Sequence, residues 1–379
     1  MNAATCTINL GITRQIIDGF GGCSYGCNRL SAAACDTLFL NNSNSQLGFT
    51  LHRVRIDPTE GSYGRNTERD NAANAHARGA LVLGTPWTPP AYMKSGGSEV
   101  GGSLLPQYYA AYATYLGAAC TDLGLDFISI QNEPDVHVTY ESCDWTAEQL
   151  HIFCRDNALP QNIIKPVVMP ETTGFKAAYC DPTLNDPLSV GNITFVAGHA
   201  YGSLLKLQNA LDHGKRLWMT EHYYSGATIG TCINIAKEIS NCMNLEMSAY
   251  IWWWVFPWNN DEGRILEADG SARKNGYVIG QFAKWVRPGY LRVDATYTPT
   301  SKVYVTAYKG GGNKVIVAVN SGNSAVSQAF SFSGGTVTSL NRHRTSSTEN
   351  IADLGPITVS NNSFTTSLPA QSVTTFSTN

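Results

Sequence analysis

The chain predicts an α/β fold, a (β/α)8 TIM barrel with an attached side β-sandwich domain. Three observations carry this expectation. Apolar, strand-like runs alternate with helix-like segments from about residue 18 to 290. After Pro288 the character changes to short alternating segments rich in Ser, Thr and Asn. Near the start, "CTINLGITRQI" (6–16) alternates in the same way and can pair with that later region. The predicted domains are therefore a catalytic-type barrel over 18–290 and a sandwich built from 1–17 plus 291–379.

Taken in order, the barrel strands fall in "QIIDGFGG" (15–22), "LGFTLHRVRID" (47–57), "GALVLGTPW" (79–87) and "DFISIQNEP" (126–134). "KPVVMPE" (165–171), "ITFVAGHAYG" (193–202), "RLWMTEHYY" (216–224) and "SAYIWWWVF" (248–256) complete eight. Strands covered on both faces carry near-continuous apolar runs, which suits a parallel sheet. Segments such as "LPQYYAAYATYLGAACTDLG" and "TCINIAKEISNCMN" supply the intervening helices. "KVYVTAYKGGGNKVIVAVNSG" (302–322) places two strand-like runs around a Gly-rich turn, as an antiparallel module requires. Its Tyr304 and Tyr308 share a face, which either a packed core or a sugar platform explains.

Composition narrows the function. At 379 residues, 43% hydrophobic and 15% charged, the chain is globular, not disordered. A net charge of −3 without a basic run gives nucleic acid no footing as a partner. No apolar stretch approaches ~18 residues, so no membrane span is expected. "MNAATCTINL" lacks a basic n-region and an apolar h-region, so no signal peptide is expected within the chain. Few Lys and many Asn, Ser, Thr and Tyr match a secreted hydrolase surface, and Asn41, Asn192 and Asn361 lie in glycosylation sequons. Ten cysteines occur without a Cys-x-x-Cys pair or a zinc-finger His, so no metal site is expected. Their even number in an extracellular chain predicts disulfides. No cofactor is expected, and the chain is expected to act as a monomer.

Chemistry concentrates where barrel strands end, because that rim carries the reactive groups in (β/α)8 enzymes. "FISIQNEPDV" runs apolar and then stops at Asn132, Glu133 and Pro134, and proline cannot continue a ladder. "LWMTEHYY" ends likewise on Glu221. Two opposed carboxylates suit glycoside hydrolysis, in which Glu133 must hold a proton while Glu221 stays ionised. Arg53 and Arg55 share a strand face, as do His199 and Tyr201. Surface pairing for the arginines and a core role for His199 are the competing explanations. Trp87, Trp145, Tyr223, Trp252 and Trp253 fall at or past strand ends, and sugar C–H faces pack on such rings. Trp218 and Trp254 read as core.

"GFGG", "RVRID", "TPWTPPAYMK", "SIQNEPD" and "LWMTEHY", in this order, resemble glycoside hydrolase family 30, in particular its bacterial-type xylanase subfamily 8. "QFAKWVRPGYLRV" and the "SVTTF" ending extend the resemblance over nearly the whole chain. It implies a barrel with a side β-sandwich, retaining hydrolysis and β-1,4-xylan as the polysaccharide partner. By position it implies Glu133 as acid/base, Glu221 as nucleophile, Arg53, Asn132, His199 and Tyr201 as their supports, and Trp87 as a subsite wall. One stretch departs from the family. Glucuronoxylan-specific members carry Trp-Trp-Tyr-Ile-Arg-Arg after the eighth strand, whereas this chain has "WWWVFPWNNDEGR". Val255, Phe256 and Pro257 replace the basic patch, Asp261 and Glu262 add negative charge, and Arg264 could compensate from a shifted loop. The expected activity is an endo-β-1,4-xylanase that does not require glucuronate branches. A strictly glucuronoxylan-specific xylanase, another family 30 activity (β-1,6-glucanase, β-glucosidase, xylobiohydrolase) and a non-catalytic polysaccharide binder are the alternatives.

Overall fold

The computed structural model describes residues 4–256 and 261–378. After β1 (Cys6–Ile16), eight parallel strands close into a barrel. They are β2 (Gly19–Cys23), β3 (Leu51–Ile56), β4 (Leu81–Pro86), β5 (Phe127–Ser129), β6 (Val167–Thr172), β7 (Phe195–His199), β8 (Arg216–Glu221) and β9 (Met247–Trp252). Helices α1 (Ala32–Phe39), α2 (Tyr63–His76), α3 (Tyr109–Asp122) and α4 (Ala147–Asp156) follow β2 to β5 in turn. Helices α5 (Ala177–Leu184), α6 (Gln208–Asp212), α7 (Ile229–Asn244) and α8 (Lys274–Ala283) follow β6 to β9.

The strands read as continuously apolar because each has two buried faces. Leu83, Val168, Phe195 and Trp218 fill the barrel, while Val82, Met169, Val196 and Leu217 pack under the helices. The Trp218 ring centroid lies 4.3 Å from that of Phe195, tilted, and 4.9 Å from that of Phe127, edge-to-face, and its Nε1 donates to Asp18. The "GFGG" stretch is set by strand spacing: a Cβ on Gly21 would sit 1.9 Å from the Leu51 carbonyl oxygen.

The fourth barrel strand departs from its sequence reading over 126–134. Regular pairing covers only Phe127–Ser129. Beyond it, single backbone bonds hold the chain: Asn132 N–H to Pro86 O at 2.8 Å and Glu133 N–H to Glu171 O at 3.0 Å. Glu133 then adopts φ 42°, left-handed for an L-residue. The strand is abandoned early because the turn that carries Glu133 needs that backbone.

The remaining strands are β10 (Leu291–Ala295), β11 (Val303–Gly310), β12 (Asn313–Asn320), β13 (Val326–Ser333), β14 (Ser339–Thr345), β15 (Ala352–Thr358), β16 (Ser363–Leu368) and β17 (Ser372–Ser377). With β1 they form a nine-stranded sheet in the order β15-β14-β17-β12-β11-β10-β1-β13-β16. Strand β1 runs antiparallel to β10 and parallel to β13. Strict alternation divides β12: Val315, Val317 and Val319 join the barrel-side core, while Ile316 and Ala318 join a separate core with Phe330, Phe364 and Phe376. Tyr308 is buried in the barrel-side core, while Tyr304 is half-buried against that core and packs on Tyr297.

One expectation is overturned. All ten cysteines are free and buried, so no disulfide staples this fold. The chain buries two large cores and has no need of cross-links to close them.

Candidate active site

Strand β8 ends on Glu221, a residue only 5% exposed. Its two oxygens have separate donors. Arg53 NH1 donates to Oε2 at 2.6 Å, and the Tyr201 hydroxyl donates to Oε1 at 2.9 Å. Arg53, from β3, is fully buried beneath the rim and makes three more contacts. Its Nε donates to Thr85 Oγ1 at 3.1 Å, NH2 donates to Asn132 Oδ1 at 2.7 Å, and NH2 lies 3.3 Å from Glu171 Oε1. Burial alone would depress the guanidinium, but Glu171 and Glu221 outweigh it and raise its pKa.

Glu133 faces Glu221 across the rim. Its Oε1 lies 2.9 Å from His199 Nδ1, which comes from the end of β7. Burial alone would lower the His199 pKa, but Glu221, Glu133 and Glu171 outweigh it and raise it to about 9. These carboxylates favour the imidazolium form, in which Nδ1 would donate to Glu133. Burial and then Glu221 push the Tyr201 phenol far up, so its hydroxyl stays a donor. A carboxylate oxygen of Glu133, one of Glu221 and a ring nitrogen of His199 all fall within 4.8 Å of one another. The same three groups could ligate a cation, and both Glu221 oxygens there already accept hydrogen bonds from Arg53 and Tyr201.

Above the carboxylates opens a cleft of about 650 Å³. Tyr25, Trp87 and Trp253 form one wall, with ring centroids 4.7 Å apart for Tyr25–Trp87 and 5.4 Å for Tyr25–Trp253. The Trp254 Nε1 donates to the Tyr25 carbonyl and steadies that wall from behind. Tyr140 and Val138, from the loop after β5, close the other side. Burial, then Glu133 and Glu221, push the Tyr140 phenol up to about 12, which places it in the field of the carboxylates.

Of the residues singled out in the sequence, Glu133, Glu221, Arg53, Asn132, His199, Tyr201, Trp87 and Trp253 converge here. Three aromatics do not. Trp145 is buried among Tyr109, Tyr112 and Phe153 and reaches only a small side recess. Trp252 is fully buried and donates to the Gly263 carbonyl. Tyr223 bonds Asp261 and supports the loop after β9 instead of lining the cleft. Strand alternation explains Trp252 against Trp253: adjacent residues face opposite ways. Sequence reading missed Glu171, Tyr25 and Tyr140. Glu171 ends "KPVVMPE" as Glu133 ends its own run, and that parallel was the available signal.

Around the cleft mouth, Val255 is buried and Phe256 packs against the core, while Pro257 lies outside the described residues. Arg264 is 8% exposed and turned into its own loop, donating to Leu266 O, Asp261 O and Glu267 Oε2. Among the described residues, no arginine or lysine lines the cleft.

A parallel barrel with two facing glutamates on its C-terminal rim, walled by aromatic rings, defines a glycoside hydrolase. No family model matches the chain. It is 36% identical to glucuronoxylanase XynC of Bacillus subtilis strain 168, over 99% of this chain and 92% of that protein. Among solved structures it is similar to the family 30 subfamily 8 xylanase Xyn30A of Clostridium acetobutylicum, with TM-score 0.92 and 42% identity over 98% of this chain and 99% of that one. It is also similar to a family 30 endoxylanase of Clostridium papyrosolvens C71, with TM-score 0.89 and 38% identity over 99% and 100% of the two chains. The chain belongs to glycoside hydrolase family 30, subfamily 8.

Proposed function

We propose that this chain is a retaining endo-β-1,4-xylanase that cleaves the xylan backbone without requiring glucuronate branches. The observation that carries the mechanism is that Glu133 and Glu221 face each other across the rim, one oxygen of each lying within 4.8 Å of the other, and the separation of the two carboxyl groups is the quantity that distinguishes the outcomes. Retaining pairs stand about 5–5.5 Å apart, whereas inverting pairs leave roughly 6.5–9.5 Å for a water. The relatives named as xylanases supply the substrate class.

In the first step the Glu133 hydroxyl protonates the glycosidic oxygen as that bond breaks, and a Glu221 oxygen bonds the anomeric carbon. Arg53 and the Tyr201 hydroxyl each donate to one Glu221 oxygen and aim the carboxylate. In the second step ionised Glu133 takes a proton from water, whose oxygen displaces Glu221 and regenerates both groups. The aromatic wall of Tyr25, Trp87 and Trp253 packs the sugar's C–H face. Xylan is a polymer outside cells, so this reading carries an extracellular place of action.

Freedom from glucuronate rests on the absence of an arginine or lysine from the cleft lining among the described residues and on the contacts of Arg264 within its own loop. A glucuronate clamp needs a charge-assisted pair, which apolar Val255 and Phe256 do not offer. The test compares products from glucuronoxylan, arabinoxylan and linear xylo-oligosaccharides, with Glu221→Gln as control. Comparable mixed products from all three, absent in the variant, support the reading. Products from glucuronoxylan alone would overturn the branch independence, and no release from any xylan would overturn the substrate.

A further inference from the structure

Beneath the two facing glutamates lies a third carboxylate that the reaction scheme does not use. Glu171, at the end of β6, is fully buried and sits at φ 52°. A buried charge in left-handed backbone costs free energy twice over, so it has a task. Its neighbours show which. Thr85 Oγ1 donates to its Oε2 at 3.1 Å, Arg53 NH2 lies 3.3 Å from its Oε1, and His199 Nε2 lies 3.8 Å from the same oxygen. Arg53 and His199 are the two groups that hold Glu221 and Glu133 respectively. The Glu171 carbonyl also accepts the Glu133 N–H, fixing the strained turn from below.

We propose that Glu171 is a positioning residue that couples the two reacting glutamates: one carboxylate sets Arg53 under Glu221 and His199 under Glu133. The proposal deepens the hydrolase reading above and rests on it. Arg53 and His199 both approach Glu171 Oε1, so a single buried carboxylate faces the two cation-forming groups that reach the reacting glutamates. The groups facing His199 are Glu133 after β5, Glu171 from β6, Tyr201 after β7, Glu221 from β8 and, through Glu171, Arg53 from β3. At 3.8 Å the His199–Glu171 contact is a charge contact, not a hydrogen bond.

Glu171→Gln keeps the shape and removes the charge. The surplus positive charge left in a dry site is relieved when His199 gives up its proton. By NMR of the labelled imidazoles, the His199 titration midpoint is expected to fall by about one pH unit or more. On xylan, kcat is expected to fall about 10- to 100-fold with KM within about threefold, since a ~1 Å misplacement costs that much. The alkaline limb of the kcat profile is expected to move to lower pH with His199. Glu171→Asp keeps the charge and is expected to keep the His199 midpoint while losing part of kcat. A His199 midpoint unmoved in Glu171→Gln overturns the proposal, as does a kcat loss that only tracks the folded fraction. If Glu171→Gln does not fold, Glu171→Asp decides: an unmoved midpoint with a lower kcat supports coupling, and wild-type kcat overturns it. If the wild-type chain cleaves no xylan, the titration arm still decides the charge link while the hydrolase reading falls by itself.

Discussion

Replacing Arg53 by methionine separates charge pairing from packing at the floor of the site. Methionine fills much of the same volume but leaves Glu171 without its nearest cation. Burial would raise the Glu171 pKa, but Arg53 and His199 outweigh it and hold it at about 2, against an ordinary 4.5. That depression, at about 1.4 kcal/mol per pH unit, corresponds to about 3 kcal/mol of folding stability. It lies within the 3–5 kcal/mol that breaking a buried pair typically costs. Because the folded pKa is depressed, this stability is present above about pH 4.5 and is lost as pH falls toward 2. The assay is calorimetric unfolding of wild type and Arg53→Met from pH 7 down to pH 2.5. Because His199 stays beside Glu171, Arg53→Met is expected to lose part of that stability, about 1–3 kcal/mol at pH 7, with the gap closing in acid. A gap that stays constant with pH would refute the reasoning, because packing loss does not titrate.

Other outcomes follow from single contacts. Tyr201→Phe removes one donor from Glu221 and is expected to lower kcat by about 10²-fold with little change in stability, measured by steady-state kinetics and thermal unfolding. Trp87→Ala is expected to raise KM for xylo-oligosaccharides, whereas Trp145→Ala is expected to cost about 3–5 kcal/mol of stability and leave KM near wild type in the folded fraction. A reducing agent is expected to leave the thermal midpoint unchanged, and thiol titration in denaturant is expected to find ten groups.

The parts of this molecule legible in its sequence are those where the signal is local. Strands buried on two faces announce themselves as apolar runs, and Pro134 marks where a ladder must stop. Glu133 and Glu221 stood out because each terminates such a run with a charge. Glu171 terminates one as well, but its importance depends on Arg53 and His199, which approach from β3 and β7 and share no local pattern with it. The tryptophans fail for a related reason. Trp252 and Trp253 are neighbours in sequence, yet only the fold decides which faces the barrel wall and which the cleft. Trp145 follows a loop whose path no periodicity fixes. Cysteine number carried a general expectation of cross-links, while actual pairing depends on distances set by tertiary packing.

The central claim is that Glu221 attacks the sugar directly with Glu133 as its acid. The most direct test is proton NMR of xylo-oligosaccharide hydrolysis, read before the anomers equilibrate. The account predicts that the first-formed reducing end is the β-anomer, with configuration retained. Initial α-anomer would contradict it and remove Glu221 from the role of nucleophile.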